Sequence, residues 1–343
     1  MKNPIRYIGI LAAAALIVFA FASCGDTPGD DTAGSGPSIE NWSEVTLFPG
    51  DTSGWIYAVT WGNGVYVASS DEGRLAYSNN VKNWTDVSGL PLYSSQHRIT
   101  SAAYGNNRFV IGGHSSQSPS HGIVGTSTDG TSWQTYNTPA GLDDFTSIIW
   151  ADNKFIATAY EKIWYSPTGL SGSWIEAGIV PAANYNFRCV AYGGNKFIAT
   201  GSADKPPCIA VSTDGINWIA TDLSDVMPNN LVINPIEKIA YGNGTFVMGG
   251  YAGAMAYSTD NGDTWTRVVN STFGTTTVTG ITWGNDTFVA VGYNKVAYSS
   301  DGITWKGLTF DKYPTPELLS VNYCDGTFIA GGKHSLIMYC TVK

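Results

Sequence analysis

From residue 41 onward, apolar and polar positions alternate in short runs separated by Gly, Asn, Asp and Ser. No window holds a 3.6-residue period, so the pattern predicts strands joined by turns and no helix. One phrase recurs seven times: an aromatic, a small or polar pair, then Phe or Tyr opening an apolar run. It begins at Trp61, Tyr104, Trp150, Tyr192, Tyr241, Trp283 and Tyr323. Residues 278–308 show the unit. Val278 to Trp283 reads as a first strand, Phe288 to Val291 as a second and Val296 to Ser299 as a third. Turn residues separate them, and Trp305 starts a fourth.

Four short antiparallel strands in a period of about 40–45 residues are the mark of a β-propeller blade. The fourth-strand Trp recurs at Trp84, Trp133, Trp174, Trp218, Trp265 and Trp305, and the seventh repeat ends without one. A matching segment, Asn41-Trp42-Ser43-Glu44-Val45, stands at the other end and parallels Asn83-Trp84-Thr85-Asp86-Val87. The expected fold is therefore all-β, a seven-bladed β-propeller over residues 41–343 with four antiparallel strands per blade. The N-terminal strand would close the last blade beside the strand around Met338, leaving no open sheet edge at the junction.

The start of the chain reads differently. Lys2 and Arg6 precede an apolar run from Ile8 to Phe21, too short for a stable membrane span, and Phe21-Ala22-Ser23-Cys24 follows. Residues 24–40 are rich in Gly, Pro, Asp, Ser and Thr and cannot bury enough apolar surface to order themselves, so they read as a disordered tether reaching about 20 Å. The formal charge is −9, and losing residues 1–23 removes two bases and no acid. So acidic a chain lacks the basic surface that nucleic acid requires. Twelve Trp, nineteen Tyr and only 13% charged residues fit an exported, β-rich protein. Beyond Cys24, the cysteines Cys189, Cys208, Cys324 and Cys340 show no CxxC spacing. Both Cys324 and Cys340 map to the lower end of the last blade, so the choice lies between a disulfide joining them and buried thiols.

The segment ending at Cys24 resembles a bacterial lipobox. That resemblance implies a signal peptide over 1–23, a lipidated Cys24 and a periplasmic or cell-surface location at a membrane. Ser258 to Trp265 (STDNGDTW) resembles the Asp-box, the sialidase-type BNR repeat. Ser127 to Trp133, Ser212 to Trp218 and Ser299 to Trp305 resemble it with one residue deleted. Asp-box propellers include sialidases, xyloglucan hydrolases, sorting receptors and photosystem assembly factors, so the likeness implies a fold more than a function. Asp129, Asp214, Asp260 and Asp301 read as turn acids that hold the hairpin.

In that family the face opposite the Asp-box turns carries function. Its candidate loops here are 88–98, 113–122, 176–187, 221–236 and 309–317. Only three charged residues fall in the predicted inner strands: Arg188, Glu237 and Lys238. With Trp55, Tyr57 and Arg98 they are the candidate ligand-binding residues; the other reading is an Arg188–Glu237 ion pair between blades. His97, His114 and His121, beside Asp71 and Glu72, are either a divalent-metal site or simply polar loops. A sialidase would need an arginine triad, and Arg74, Arg98 and Arg188 share no strand position. The Phe/Tyr-Arg-Ile-Pro phrase of sialidases is absent as well. Glu161, Glu176, Asp143 and Asp144 crowd blade three and leave a glycoside hydrolase as the alternative. The sequence favours a non-catalytic, membrane-anchored module, without cofactor, that binds a protein or glycan partner.

Overall fold

The computed structural model describes residues 39, 41–51, 53–90, 92, 94, 96–116, 121–138, 144–181, 185–201, 207–223, 235–310 and 316–342. Within them 29 strands, β1 to β29 in chain order, form seven separate sheets. Each sheet is one blade. The inner strands are β2 (Ile56–Gly62), β6 (His97–Gly105), β10 (Phe145–Ala151), β15 (Phe187–Gly193), β19 (Ile236–Gly242), β23 (Val278–Gly284) and β27 (Leu318–Cys324). We call the face where these strands begin the upper face. The turns that follow them, and the Ser-x-Asp-Gly turns, lie on the lower face. The signal segment and Cys24 lie outside the described residues. Of the expected tether only Ile39 is described, and it is buried against blade seven with Met338 and Val342 instead of belonging to a free segment.

The recurring phrase is an inter-blade lock. Its aromatic pairs in register with the Phe of the next strand, as Trp150 does with Phe155 and Trp283 with Phe288. Ring centroids there are 4.6 and 4.5 Å apart, in tilted geometry. The Gly that follows the aromatic then receives the aromatic of the next blade. A Cβ on Gly105 would stand 1.9 Å from the Trp150 ring, and one on Gly62 2.1 Å from Tyr104. Gly193, Gly242 and Gly284 are in the same position against Tyr241, Trp283 and Tyr323. Two seams differ: Ala151 packs in one cluster with Tyr192, and Cys324 in another with Trp61.

Closure joins the two ends of the chain. β1 (Ser43–Thr46) pairs antiparallel with β29 (Leu336–Thr341), Glu44 opposite Met338. The segment after β1 is tied to blade one. Leu47 and Phe48 are buried there, and the Arg74 guanidinium stands 3.6 Å over the Phe48 ring. Arg74 also bonds Asp51 at 3.1 Å and Asp86 at 2.8 Å.

The Ser-x-Asp-Gly turns bond within themselves. Ser299 Oγ donates to Asp301 Oδ1 at 2.8 Å, while Ser299 Oγ accepts from Gly302 N–H at 2.9 Å. Asp301 Oδ1 further accepts from the N–H groups of Ile303 and Thr304, at 2.8 and 2.7 Å. Asp129 and Asp214 repeat the arrangement. Such bonds to the charged form hold carboxyls low. For Asp129 the Ser132 N–H is the strongest influence, and the pKa is lowered. At Asp260 burial opposes, but bonds from the Thr264 hydroxyl and N–H outweigh it and bring the pKa down to about 2. Blade one uses Asn80, which accepts from Asn83 N–H at 2.9 Å, and puts Val81 at φ 55° where the other turns have Gly.

Three features depart from expectation. Blade four has a fifth strand, β14 (Gly178–Val180), taken from the preceding connector and paired parallel to β18 (Asn217–Asp222). A single 3-10 turn, Tyr251–Gly253, interrupts blade five. Cys324 and Cys340 are not joined: Cys340 is a buried thiol whose pKa burial raises. Cys324 pairs with Thr327 and Thr327 with Thr341, whereas Cys340 pairs with Phe328. Because side chains alternate along a strand, the two cysteines face opposite sides of the blade.

Gly105→Ala is expected to destabilise the ring by about 1–3 kcal/mol, through overpacking against Trp150. Gly64→Ala, at φ +77° with nothing within 4 Å, should cost only about 1 kcal/mol of backbone strain. Urea unfolding of both variants checks the difference. The lowered Asp260 pKa stabilises the fold above the unfolded value of about 3.9, and that contribution is lost as pH falls towards 2. Asp260→Asn keeps an acceptor without titrating, so its stability should fall less between pH 4 and pH 2 than that of the parent.

Candidate functional site

Every inner strand carries a β-bulge, at its second residue in six blades and at its fourth in β6. The register shifts fall between Ile56 and Ala58, Phe187 and Cys189, Ile236 and Lys238, and likewise in the other four blades. The skipped residues are Tyr57, Thr100, Thr146, Arg188, Glu237, Thr279 and Leu319. A bulge frees its residue from the ladder and re-aims the side chain. Where it is Thr, the hydroxyl staples two blades: Thr146 Oγ1 donates to Phe187 O at 2.9 Å and Thr279 Oγ1 to Leu318 O at 2.8 Å. Arg188 and Glu237 occupy successive bulges, and Arg188 Nη1 stands 3.6 Å from Glu237 Oε2. The pair spans the seam that Thr bridges elsewhere, and it leaves the buried Arg188 Nε–H without an acceptor.

Around blades six, seven and one, aromatics and cations alternate. Lys333 Nζ lies 4.6 Å from the Trp55 ring centroid and 5.2 Å from that of Tyr293, and it pairs with Glu317. The Trp55 and Tyr57 centroids are 6.1 Å apart, and Arg98 stands 5.3 Å over Tyr57. Burial is the main influence raising the Tyr57 pKa. Asp71 is also raised by burial, although its Oδ1 accepts from Trp55 N–H at 2.9 Å. Isolated bridges Trp55–Lys333, Asp71–Arg98, Tyr160–Asn186 and Tyr293–Glu317 lace neighbouring blades together along this rim. Trp55, Tyr57 and Arg98 are thus brought into one row.

Sequence reasoning missed Tyr160, Tyr251 and Tyr293, which are 47%, 61% and 46% exposed. All three open the turn after the second strand of their blades, the position Lys333 takes in blade seven. The signal was available: Ala-Tyr-Glu, Gly-Tyr-Ala and Gly-Tyr-Asn follow equivalent apolar runs.

The histidines do not assemble a metal centre. His97, Ser115 and His121 lie in one register row, so His114 projects from the other face of the sheet. His97 is buried with Nδ1 2.7 Å from Leu92 O, and His114 Nδ1 stands 3.7 Å from Asp144 Oδ2. Burial lowers the His114 pKa, with help from Arg98 and His97. Among the described residues no group of three or more His, Cys, Asp or Glu could hold a metal. Glu176 bonds Lys162 at 2.9 Å, Glu161 sits exposed at a turn, and Asp143 lies outside the described residues.

Below the mouth runs an axial channel of about 440 Å³. The residue after each bulge lines it: Ala58, Ser101, Ser147, Cys189, Gly280 and Ser320 are small, and the seventh is Lys238. Two residues further down come Thr60, Thr282 and Asn322 among alanines and Ile149. Tyr104, Trp150, Tyr241 and Trp283 line the lower part, which reaches the turn at Asn106 and Asn107. Lys238 therefore separates from Arg188 and Glu237, standing inside the channel while they pair at its mouth.

No family profile and no curated protein matches the chain. Solved structures do. A YCF48 protein bound to D1 peptide aligns at TM-score 0.69 and 14% identity, over 90% of this chain and 98% of that one. Virginiamycin B lyase from Staphylococcus aureus aligns at 0.68 and 13%, over 88% and 99%. The WD40 propeller domain of Doa1 aligns at 0.63 and 16%, over 88% and 98%. At these identities the likeness establishes the propeller fold and nothing finer.

The Arg188–Glu237 pair, with side chains 32% and 25% exposed, should couple weakly. A double-mutant cycle with Arg188→Ala and Glu237→Ala, read by urea unfolding, is expected to give less than about 1 kcal/mol.

Proposed function

We propose that this chain is an exported Asp-box propeller, held at a membrane by a lipid on Cys24, that uses its upper face to bind a protein or peptide. The observation that carries the reading is the set of exposed upper-face tyrosines on blades three, five and six, Tyr160, Tyr251 and Tyr293, with the series Lys333, Trp55, Tyr57 and Arg98 leading on from the last of them. Tyr, Trp and Arg offer large contact area at small entropic cost and dominate binding hot spots. The rings stand on a scaffold fixed by seven blade seams, so little ordering remains to oppose association. Peptide binding by a propeller of similar shape supports the choice, since the YCF48 neighbour was solved with a D1 peptide bound. Against a glycoside hydrolase stands the engagement of the upper-face acids: Glu237 with Arg188, Glu317 with Lys333, Asp144 beside His114.

Placing a photo-crosslinking residue at Tyr160, Tyr251 or Tyr293 in cells should give discrete protein adducts, and placing it at the lower-face positions Asn106 or Gly244 should not. Equal adducts from both faces would refute the reading. Combined Tyr251→Ala and Tyr293→Ala should weaken partner binding at least about tenfold, the share expected of a hot spot. Cys24→Ser should move the protein from the membrane to the soluble fraction. Turnover of fluorogenic glycosides, lost in Glu237→Gln, would favour the hydrolase instead.

A further inference from the structure

The axial channel has a composition that the upper-face reading does not use. Six of the seven residues in its upper ring are Ala, Ser, Cys or Gly, and that choice clears space in front of Lys238. Among the described residues Lys238 is the one charged side chain in the channel wall. Its neighbour Glu237 is engaged by Arg188, and no ion pair to Lys238 occurs among the described residues. A half-buried ammonium facing a cavity, inside a chain of net charge −9, makes that cavity a local trap for an anion. Low-dielectric walls strengthen the attraction.

The rest of the wall limits what the anion can be. Among the described residues Ser320 Oγ is buried without a hydrogen-bond partner, and the Ser147 hydroxyl reaches only the Cys189 sulfur, at 3.8 Å. Thr60 and Thr282 add hydroxyls lower down, and Asn322 adds an amide that already donates to Val59 O. Buried hydroxyls left unpaired are costly, so a ligand bearing hydroxyls of its own would complete them. One ammonium balances one negative charge, and a dianion would carry an uncompensated charge into the channel. About 440 Å³ lies within the usual range for a small-molecule site. Tyr104, Trp150, Tyr241 and Trp283 make the lower part of the wall aromatic, so the hydroxyl-bearing part of a ligand belongs in the upper part.

We propose that the axial channel is a binding site for a small hydroxylated monocarboxylate, its carboxylate on Lys238 and its hydroxyls on the serine and threonine wall. The site shares only Tyr57, at its mouth, with the upper-face aromatic row and does not depend on a macromolecular partner.

Calorimetric titration of the purified chain with D-glucuronate, D-glucose and inorganic phosphate tests it. Glucuronate should bind at one site per chain and roughly 10–100-fold more tightly than glucose, the worth of one charge-assisted contact. Phosphate should bind more weakly than glucuronate. Lys238→Gln should lose that preference, Lys238→Arg should keep part of it, and Ser320→Ala should weaken glucuronate a few-fold. Trp55→Ala, at the mouth, should leave glucuronate binding unchanged while weakening any partner held by the upper face. Absence of glucuronate binding up to about 10 mM, a range that reaches even millimolar affinities, would overturn the proposal. So would equal affinity for glucuronate and glucose in the unaltered chain, a comparison that needs no variant to fold.

Discussion

A ring of seven separate sheets has no shared hydrogen-bond ladder, so the seams between blades must hold it together. The contact that does so is an aromatic ring laid against a backbone with no side chain: Trp150 on Gly105, Tyr241 on Gly193, Trp283 on Gly242. Both halves are short-range in sequence, since each blade supplies the ring for one seam and the glycine for the next. The channel radius, the aim of the bulged residues and the spacing of the upper loops all follow from how closely these seams approach. A methyl group there separates blades, and everything mounted on them moves.

That dependence explains what could be read without coordinates. The phrase at Trp61, Tyr104 and the other five positions is visible because seam chemistry demands an aromatic and usually a glycine at fixed spacing. Asp129, Asp214, Asp260 and Asp301 are visible for the same reason, as each turn must satisfy its own N–H groups. The bulges were not legible. Tyr57, Thr146, Arg188, Glu237 and Leu319 share no chemistry, and only the register reveals that they occupy one ring. β14 was hidden because Gly178-Ile179-Val180 reads as connector until the edge of β18 is seen beside it. The histidines and the Cys324–Cys340 staple misled in one way: nearness along the chain concealed that strand alternation sends side chains to opposite faces.

The structure sorts the upper half of the molecule into two chemistries. At the mouth, cations are engaged with aromatics and acids, as Lys333 is with Trp55, Tyr293 and Glu317. Such contacts present broad, shallow surface. Inside the channel the surface is narrow, hydroxylated and served by a single ammonium. The boundary between them is the ring of bulged residues, where threonine makes a seam and Arg188 with Glu237 makes another kind.

Closure has a temporal side. Ser43 pairs with Tyr339, so β1 finds its partner only at the far end of the described chain. Six blades can assemble from local hairpins, while β1 stays unpaired until β29 has folded beside β28 and can receive it. Joining the ends of so long a loop is slow, although its entropy grows only with the logarithm of length. The nascent chain therefore passes through an open horseshoe with two sticky tips, and a neighbouring molecule in the same state is the natural wrong partner for either one.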